Sequence, residues 1–186
     1  MKRIGVLFPG IGYTIDKPLL YYSGKLMKTL DYEVKPVTYT GFPDGVKGNS
    51  QKMEMAAYMA LEQAEIILSD VEWAKYDDIL FISKSVGTVA GSAYAKRHGI
   101  CCRHILFTPV EMTFQSADHN SIAFHGTADP WADTNVIRTE CCRLGIPLYE
   151  TDGANHSLET GDVDADIGTL QKTIRIVRRF VKNGTV

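Results

Sequence analysis

A serine, an aspartate and a histidine that could together cleave an acyl bond occur in that order along the chain. Ser85, Asp129 and His156 each follow a short apolar run. A serine hydroxyl is a weak nucleophile until a base takes its proton, and histidine suits that role because it titrates near neutral pH. A carboxylate that accepts a hydrogen bond from the histidine fixes its tautomer. These residues predict acyl transfer, provided that the fold brings them together.

The segment around Ser85 predicts a sharp turn between a strand and a helix. The apolar run Ile79–Ile82 leads into Ser83-Lys84-Ser85-Val86-Gly87, in which the residues two before and two after Ser85 are small. Taken alone, this segment is also consistent with a serine that only caps the following helix. Lys84 is expected to face solvent, with contact to an anionic group as the alternative.

Asp129 and His156 are each expected in a loop that follows a strand. Asp129 comes after the run Ile122–Phe124 and could also cap a helix, although Asp133 is the more natural cap for the helix that follows. Glu111 is the alternative acid, and His156 could be a loop histidine without a function. The remaining histidines are expected to be structural: His98, His104, His119 and His125. Of these, His125 is expected to support the loop that carries Asp129, which we call the acid loop.

The reaction also needs two backbone N–H groups that stabilise the oxygen that becomes negative in the tetrahedral intermediate. The N–H of Val86, directly after the serine, can supply one, and Ile11 in a glycine-rich segment after the first strand can supply the other. Gly10 and Gly12 in that segment do not form a dinucleotide fingerprint. Position 15 is isoleucine, where that motif needs a third small residue.

Strands and helices alternate along the chain. Apolar runs predict six strands, at about Ile4–Phe8, Tyr32–Val37, Tyr76–Ile82, His104–Phe107, Ser121–Phe124 and Pro147–Glu150. Helical periodicity and capping residues predict helices at about Pro18–Leu30, Ser50–Trp73, Val86–His98, Asp133–Leu144 and Asp162–Val181. This alternation predicts an α/β fold with a mostly parallel sheet, helices on both faces, and ligands at the carboxyl ends of the strands.

Composition indicates an ordinary globular protein. The 186 residues suffice for one substantial core, and no linker divides them, so we expect one domain over residues 1–186. The 20 Lys plus Arg and 22 Asp plus Glu give a net charge of −2, which predicts no nucleic-acid partner. The first apolar run stops at Pro9, too early for a signal peptide, and no segment is long enough to span a membrane.

The four cysteines form two adjacent pairs, Cys101-Cys102 and Cys141-Cys142. Adjacent thiols lack the spacing of a metal site, so we expect them to act as small apolar residues in or near the core. Unpaired thiols suit a reducing compartment. We therefore expect a cytoplasmic protein without a metal or another cofactor.

Together these features resemble the α/β-hydrolase superfamily over essentially the whole chain. The resemblance rests on the turn at Ser85, on the order Ser85, Asp129, His156, and on the glycine-rich segment after the first strand. It implies Ser85 as the nucleophile, His156 as general base and then general acid, and Asp129 as its orienting partner. The chain departs from the family pattern at Ser83, which stands where the first glycine of the turn is usual.

The chain is shorter than typical members, and the resemblance therefore implies a minimal form of their fold. The first two family strands would be missing, which leaves a three-layer sandwich with six parallel strands in the order 2-1-3-4-5-6. Residues 108–120, between the fourth and fifth strands, are too few for a cap domain, so we expect an open site. The expected substrate-contacting residues are Gly10, Gly12, Tyr13, Met112, Phe114 and Trp131.

The resemblance implies a serine hydrolase that acts on a small molecule through an acyl-enzyme. We expect a carboxylesterase for small or medium acyl esters, with a thioesterase, a peptidase or a dienelactone-type hydrolase as alternatives. A non-catalytic binding protein that keeps the fold is the alternative from another class. A flavodoxin-like nucleotide binder is disfavoured, because its phosphate loop would be rich in Ser and Thr whereas Pro9–Gly12 contains neither. A monomer and a homodimer are both compatible with the sequence.

Overall fold

The computed structural model, in which residues 1–183 are described, is built around one six-stranded sheet. The strands are β1 (Arg3–Phe8), β2 (Glu33–Pro36), β3 (Asp78–Lys84), β4 (Arg103–Phe107), β5 (Ser121–Gly126) and β6 (Leu148–Thr151). Their order is β2-β1-β3-β4-β5-β6, and every neighbouring pair runs parallel. The predicted fold class, strand number and strand order are confirmed.

Helices connect these strands and cover both faces of the sheet. The helices are α1 (Pro18–Thr29), α2 (Ser50–Ile67), α3 (Val86–His98), α4 (Thr134–Leu144) and α5 (Val163–Asn183). Two short 3-10 helices lie at Trp73–Lys75 and Glu111–Gln115. Because side chains alternate along a strand, Phe81 of β3 packs beside α2 and α3, while Leu80 and Ile82 pack beside α1 and α5.

The predicted start of α2 at Ser50 is confirmed, and its predicted end is wrong. The residue before the helix, Asn49, caps it, because the Asn49 side chain accepts a hydrogen bond from the Lys52 N–H at 3.0 Å. At its other end α2 stops at Ile67, well before the predicted Trp73. The apolar pattern in the sequence continues to Trp73 because that side chain packs on the same core as α2, although the backbone at Trp73 is no longer part of the helix.

Two glycines allow backbone segments at the carboxyl edge of the sheet to approach closely. A Cβ at Gly87, in the first turn of α3, would lie 2.4 Å from the carbonyl oxygens of Phe8 and Pro9. A Cβ at Gly126, at the end of β5, would lie 2.3 Å from the carbonyl oxygen of Ala154. The loops that follow β1, β3, β5 and β6 therefore meet at this edge.

The cysteines form no disulfide. Cys102 and Cys141 are buried, as predicted, but Cys101 and Cys142 are exposed. Residues 1–183 contain no cluster of three His, Cys, Asp or Glu side chains that could hold a metal ion. Within the same range, none of the helices combines the length and apolar character that a bilayer crossing requires.

We predict that Gly87→Ala destabilises the protein by about 1–3 kcal/mol, because the new methyl group would overlap two backbone carbonyls. Gly168→Ala is the matched control, since it lies on the exposed side of α5, where a Cβ meets no atom within 4 Å. That substitution should stabilise by up to about 1 kcal/mol through helix propensity. Urea unfolding measures both, and equal stability of the two variants would contradict the close approach.

Candidate active site

Ser85 lies in a strained turn between β3 and α3. Its backbone has φ 55° and ψ −124°, a conformation that residues other than glycine rarely adopt. Its N–H donates to the carbonyl of Phe107 at 3.1 Å, and its own carbonyl accepts from the N–H and hydroxyl of Thr88 at 2.8 and 2.6 Å. The Ser85 side chain makes no capping hydrogen bond to α3, so the helix-cap alternative is not what the structure has.

The side chains of Ser85, His156 and Asp129 form one hydrogen-bonded chain. His156 Nε2 lies 2.8 Å from Ser85 Oγ, and His156 Nδ1 lies 2.7 Å from Asp129 Oδ2. The second carboxylate oxygen of Asp129 accepts from the Trp131 N–H at 2.8 Å. A carboxylate beside Nδ1 selects the tautomer with its proton on Nδ1, so Nε2 is free to accept from the serine hydroxyl.

The alternative acid lies elsewhere. Glu111 begins the 3-10 helix that follows β4, and its side chain is exposed. Asp133 caps α4 by accepting from the N–H groups of Asn135 and Val136, at 2.7 and 3.4 Å. Asp129 is therefore not needed as a helix cap, and its carboxylate faces the histidine instead.

Backbone hydrogen bonds tie the acid loop to the histidine loop. The N–H of Thr127 donates to the Thr151 carbonyl, and the N–H of Ala128 donates to the Ala154 carbonyl, both at 3.0 Å. The Thr127 hydroxyl also donates to Asp152 at 2.9 Å. The two loops therefore behave as one unit that fixes the distance between the carboxylate and the imidazole.

Two aromatic rings support this pair. The Trp131 ring stacks on His156 with centroids 5.3 Å apart and planes at 21°. His125 lies behind the carboxylate, with Nδ1 3.8 Å from Asp129 Oδ2 and Nε2 2.9 Å from the Thr134 hydroxyl. Burial lowers the pKa of His125. His125 therefore occupies the position expected of a support for the acid loop.

The pKa of His156 is set by opposing influences. Burial lowers it, the hydrogen bond to Asp129 raises it, and the nearby charge of Lys84 lowers it further. The net effect is a lowered pKa, so the imidazole is neutral at neutral pH. A neutral imidazole is the form that can accept a proton.

Backbone N–H groups of two loops lie beside Ser85. Val86 is the first residue of α3, so its N–H has no partner within the helix. After β1, Gly10 and Tyr13 exchange backbone hydrogen bonds of 3.0 and 3.4 Å around a tight turn, which leaves the Ile11 N–H outside this pairing. A Cβ at Gly10 would lie 3.0 Å from the Cβ of Ser85, so this turn passes directly beside the serine.

The predicted substrate-contacting residues differ in exposure. Trp131 and Met112 are half-buried, Gly12 is exposed, and Tyr13 is buried. The structure corrects the prediction for Phe114. Its ring lies in a core cluster with side chains of β4 and α4, because the 3-10 helix that carries it packs against that core.

Lys84 is the residue that sequence reasoning misplaced. It is only 1% exposed, and its Nζ lies 4.9 Å from the centre of the Tyr13 ring. Burial lowers its pKa to about 7, while the charges of Asp129 and Glu159 act in the opposite direction. The signal in the sequence is strand alternation: Lys84 follows Ile82 by two residues and so faces the same buried layer.

The sequence matches no protein-family model and no curated protein. Solved structures do match, among them a candidate hydrolase of the α/β superfamily from Xanthomonas campestris pv. campestris, with 12% identity and a TM-score of 0.70 over 97% of this chain and 99% of that one. Est1E from Butyrivibrio proteoclasticus with bound ferulic acid has 11% identity and a TM-score of 0.69, over 98% and 89% of the two chains.

A third match is an α/β serine hydrolase without lid from Xanthomonas campestris, with 12% identity and a TM-score of 0.54 over 93% of this chain and 81% of that one. These likenesses extend over nearly the whole chain. The protein therefore has the fold of the α/β-hydrolase superfamily, in the form without a lid. The resemblance seen in the sequence is confirmed at the level of the fold.

We predict that the imidazole of His156 titrates below about 6.5, the ordinary histidine value, and that Asp129→Asn lowers its pKa further. The carboxylate favours the charged imidazolium, so its loss makes protonation harder. Glu111→Gln is the control and should leave the titration unchanged. NMR titration of the ring protons measures all three proteins. If Glu111→Gln lowered the pKa of His156 and Asp129→Asn did not, the partner of the histidine would be Glu111 rather than Asp129.

Proposed function

We propose that the protein is a serine hydrolase that cleaves esters of small or medium acyl groups through an acyl-enzyme on Ser85. The observation that carries the proposal is the chain of hydrogen bonds from Ser85 through His156 to Asp129, at 2.8 and 2.7 Å. The fold supports it, since solved structures that share it include proteins described as hydrolases and esterases.

In the first half of the proposed reaction, Ser85 Oγ attacks the ester carbonyl while His156 Nε2 takes its proton. Asp129 stabilises the imidazolium that forms. The carbonyl oxygen becomes negative and accepts hydrogen bonds from the N–H groups of Val86 and Ile11. His156 then gives the proton to the departing alkoxide oxygen, the bond from that oxygen to the carbonyl carbon breaks, and the acyl group remains on Ser85.

The second half repeats these roles with water. A water molecule gives a proton to His156 Nε2 and attacks the acyl carbon, and the same N–H groups stabilise the negative oxygen. The bond to Ser85 Oγ breaks as His156 returns the proton to it. The products are the carboxylic acid and the free serine, so the protein is restored after each turnover.

The strain at Ser85 favours catalysis over the alternative of a binding protein that only keeps the fold. A non-glycine residue at φ 55° costs about 1–3 kcal/mol and persists where the surrounding structure enforces it. The strained turn aims the hydroxyl at His156, whereas a binding protein would gain nothing from it. A thioesterase or a dienelactone-type hydrolase would use the same groups, and these remain the alternatives within the class.

We predict that a fluorophosphonate probe labels the wild-type protein and that Ser85→Ala abolishes the labelling. Ser83→Ala is the matched control, because Ser83 lies in β3 two residues before Ser85 and is fully buried, with its hydroxyl bonded to the Ile105 carbonyl. It should keep the labelling and the turnover of p-nitrophenyl esters. A folded wild-type protein that neither reacts with the probe nor turns over these esters would refute the proposal.

We predict that Asp129→Asn lowers kcat by about four orders of magnitude, because the imidazole loses the partner that fixes its tautomer. Glu111→Gln should stay within about twofold of the wild type, since its side chain is exposed and outside the hydrogen-bonded chain. Steady-state hydrolysis of a short-chain p-nitrophenyl ester gives both values. A large loss of kcat for Glu111→Gln alone would show that Glu111, and not Asp129, orients the imidazole.

A further inference from the structure

Lys84 places a cation inside the protein, one residue before Ser85. The side chain is 1% exposed, and its Nζ lies 4.9 Å from the centre of the Tyr13 ring. An ammonium group carries three hydrogen-bond donors, and an aromatic face accounts for one side of it at most. Over residues 1–183 no carboxylate lies within 4.0 Å of this Nζ, and Asp129 and Glu159 act on it only at longer range.

An unpaired buried charge is unfavourable for folding. Desolvating an ion inside a protein costs free energy unless a counter-ion and hydrogen bonds offset it. The side chains on this face of the sheet are mainly apolar, including Leu7, Ile82 and Leu158. A methionine would satisfy the packing, so the amine indicates a ligand that supplies the missing negative charge.

The stem of Lys84 and the side chain of Ser85 lie beside the same turn after β1. Gly10 is the common neighbour, because a Cβ there would lie 3.0 Å from the Cβ of Ser85 and 3.4 Å from the Cγ of Lys84. The charge of Lys84 also lowers the pKa of His156. The stem of the lysine therefore lies beside the turn next to Ser85, and its charge acts on His156.

The surrounding charges favour a singly charged partner. Asp129 and Glu159 contribute negative potential at Lys84, and Asp129 is already committed to His156 and Trp131. A dianionic phosphate would be repelled by both carboxylates, whereas one carboxylate could pair with the ammonium at a smaller penalty.

We infer that Lys84 binds a carboxylate of the substrate, and that the protein prefers esters that carry a carboxylate near the bond to be cleaved. This inference rests on the proposed function of Ser85. Lys84 would then determine specificity, because its ammonium contacts the substrate while Ser85, His156 and Asp129 carry out the reaction. A charge-assisted hydrogen bond of this kind corresponds to roughly a 10–100-fold preference.

The preference should depend on pH. The titratable and charged groups that face Lys84 are Tyr13, Asp129, Glu159 and His156. Burial raises the pKa of Tyr13 to about 12, so this ring stays neutral, whereas burial lowers the pKa of Lys84 to about 7. A bound carboxylate stabilises the ammonium, so the preference should persist near pH 7 and decline as the amine loses its proton at alkaline pH.

Two pairs of matched esters test this. For a carboxylate on the acyl side, mono-p-nitrophenyl glutarate is compared with p-nitrophenyl pentanoate. For one on the alcohol side, 3-acetoxypropanoate is compared with propyl acetate. We expect the wild type to have a kcat/KM about 10–100-fold higher for the charged member of at least one pair.

Variants at Lys84 complete the test. Lys84→Met should reduce the ratio of kcat/KM between charged and neutral esters to about 1, and Lys84→Arg should retain part of it, because the cation is kept with a different shape. Lys96→Met is the matched control, since that lysine is exposed on α3 and bonds only the Gln115 carbonyl, and the ratio should not change.

The outcomes separate the two proposals. Wild-type turnover of neutral and charged esters at equal kcat/KM would overturn the role of Lys84 and leave the hydrolase intact. Equal slowing of both esters in Lys84→Met would also overturn it, and would indicate an effect through His156. Absence of turnover for every ester, with no probe labelling of Ser85, would refute the hydrolase itself. If Lys84→Met fails to fold, the wild-type protein still tests the role of Lys84. Its preference for charged esters should decline at alkaline pH, and a preference that does not change with pH would overturn the role.

Discussion

The site depends on how closely backbone segments approach one another at the carboxyl edge of the sheet. Gly87 allows the first turn of α3 to lie against the carbonyls of Phe8 and Pro9, and this contact brings the turn after β1 beside Ser85. Gly126 does the same for the loops that carry Asp129 and His156. The hydrogen-bonded chain is short because these backbones touch, and a single methyl group at either glycine would separate them.

The strain at Ser85 is offset by hydrogen bonds that continue beyond the strand. The Ser85 N–H extends the pairing of β3 with β4 through the Phe107 carbonyl, and Thr88 holds the other side of the turn. The Thr88 hydroxyl lies 2.5 Å from that of Thr113 in the 3-10 helix after β4. Ser83 fits where the family usually has glycine, because its small side chain turns into the sheet and bonds the Ile105 carbonyl.

The sequence was informative where local pattern and topology act together. Apolar runs and capping residues predict the strands and most helix ends, and a parallel sheet places the loops that carry Ser85, Asp129 and His156 at one edge. It was not informative where contacts with residues distant in the chain determine whether a side chain is buried. Phe114 is in the core because the 3-10 helix that carries it packs toward α4, and Trp73 packs on the same core as α2 although that helix ends at Ile67.

Lys84 was misplaced for a related reason. Charged residues are usually exposed, and that tendency outweighed the alternation along β3, which points the side chain inward. Its ammonium contacts the ring of Tyr13, which belongs to a turn more than seventy positions earlier in the chain. Such a contact depends on the tertiary fold, and no local pattern around Lys84 contains it.

If Lys84 binds a substrate carboxylate as proposed, its charge would also affect the proposed reaction. When Ser85 attacks, His156 becomes an imidazolium, so the site then holds two cations, on His156 and Lys84, against the single buried carboxylate of Asp129. Their mutual repulsion opposes proton transfer and adds to burial, which is the main cause of the lowered pKa of His156. A substrate carboxylate paired with Lys84 would cancel that repulsion at the moment the imidazolium forms. Binding and proton transfer would thus favour the same substrates, because one added negative charge serves both.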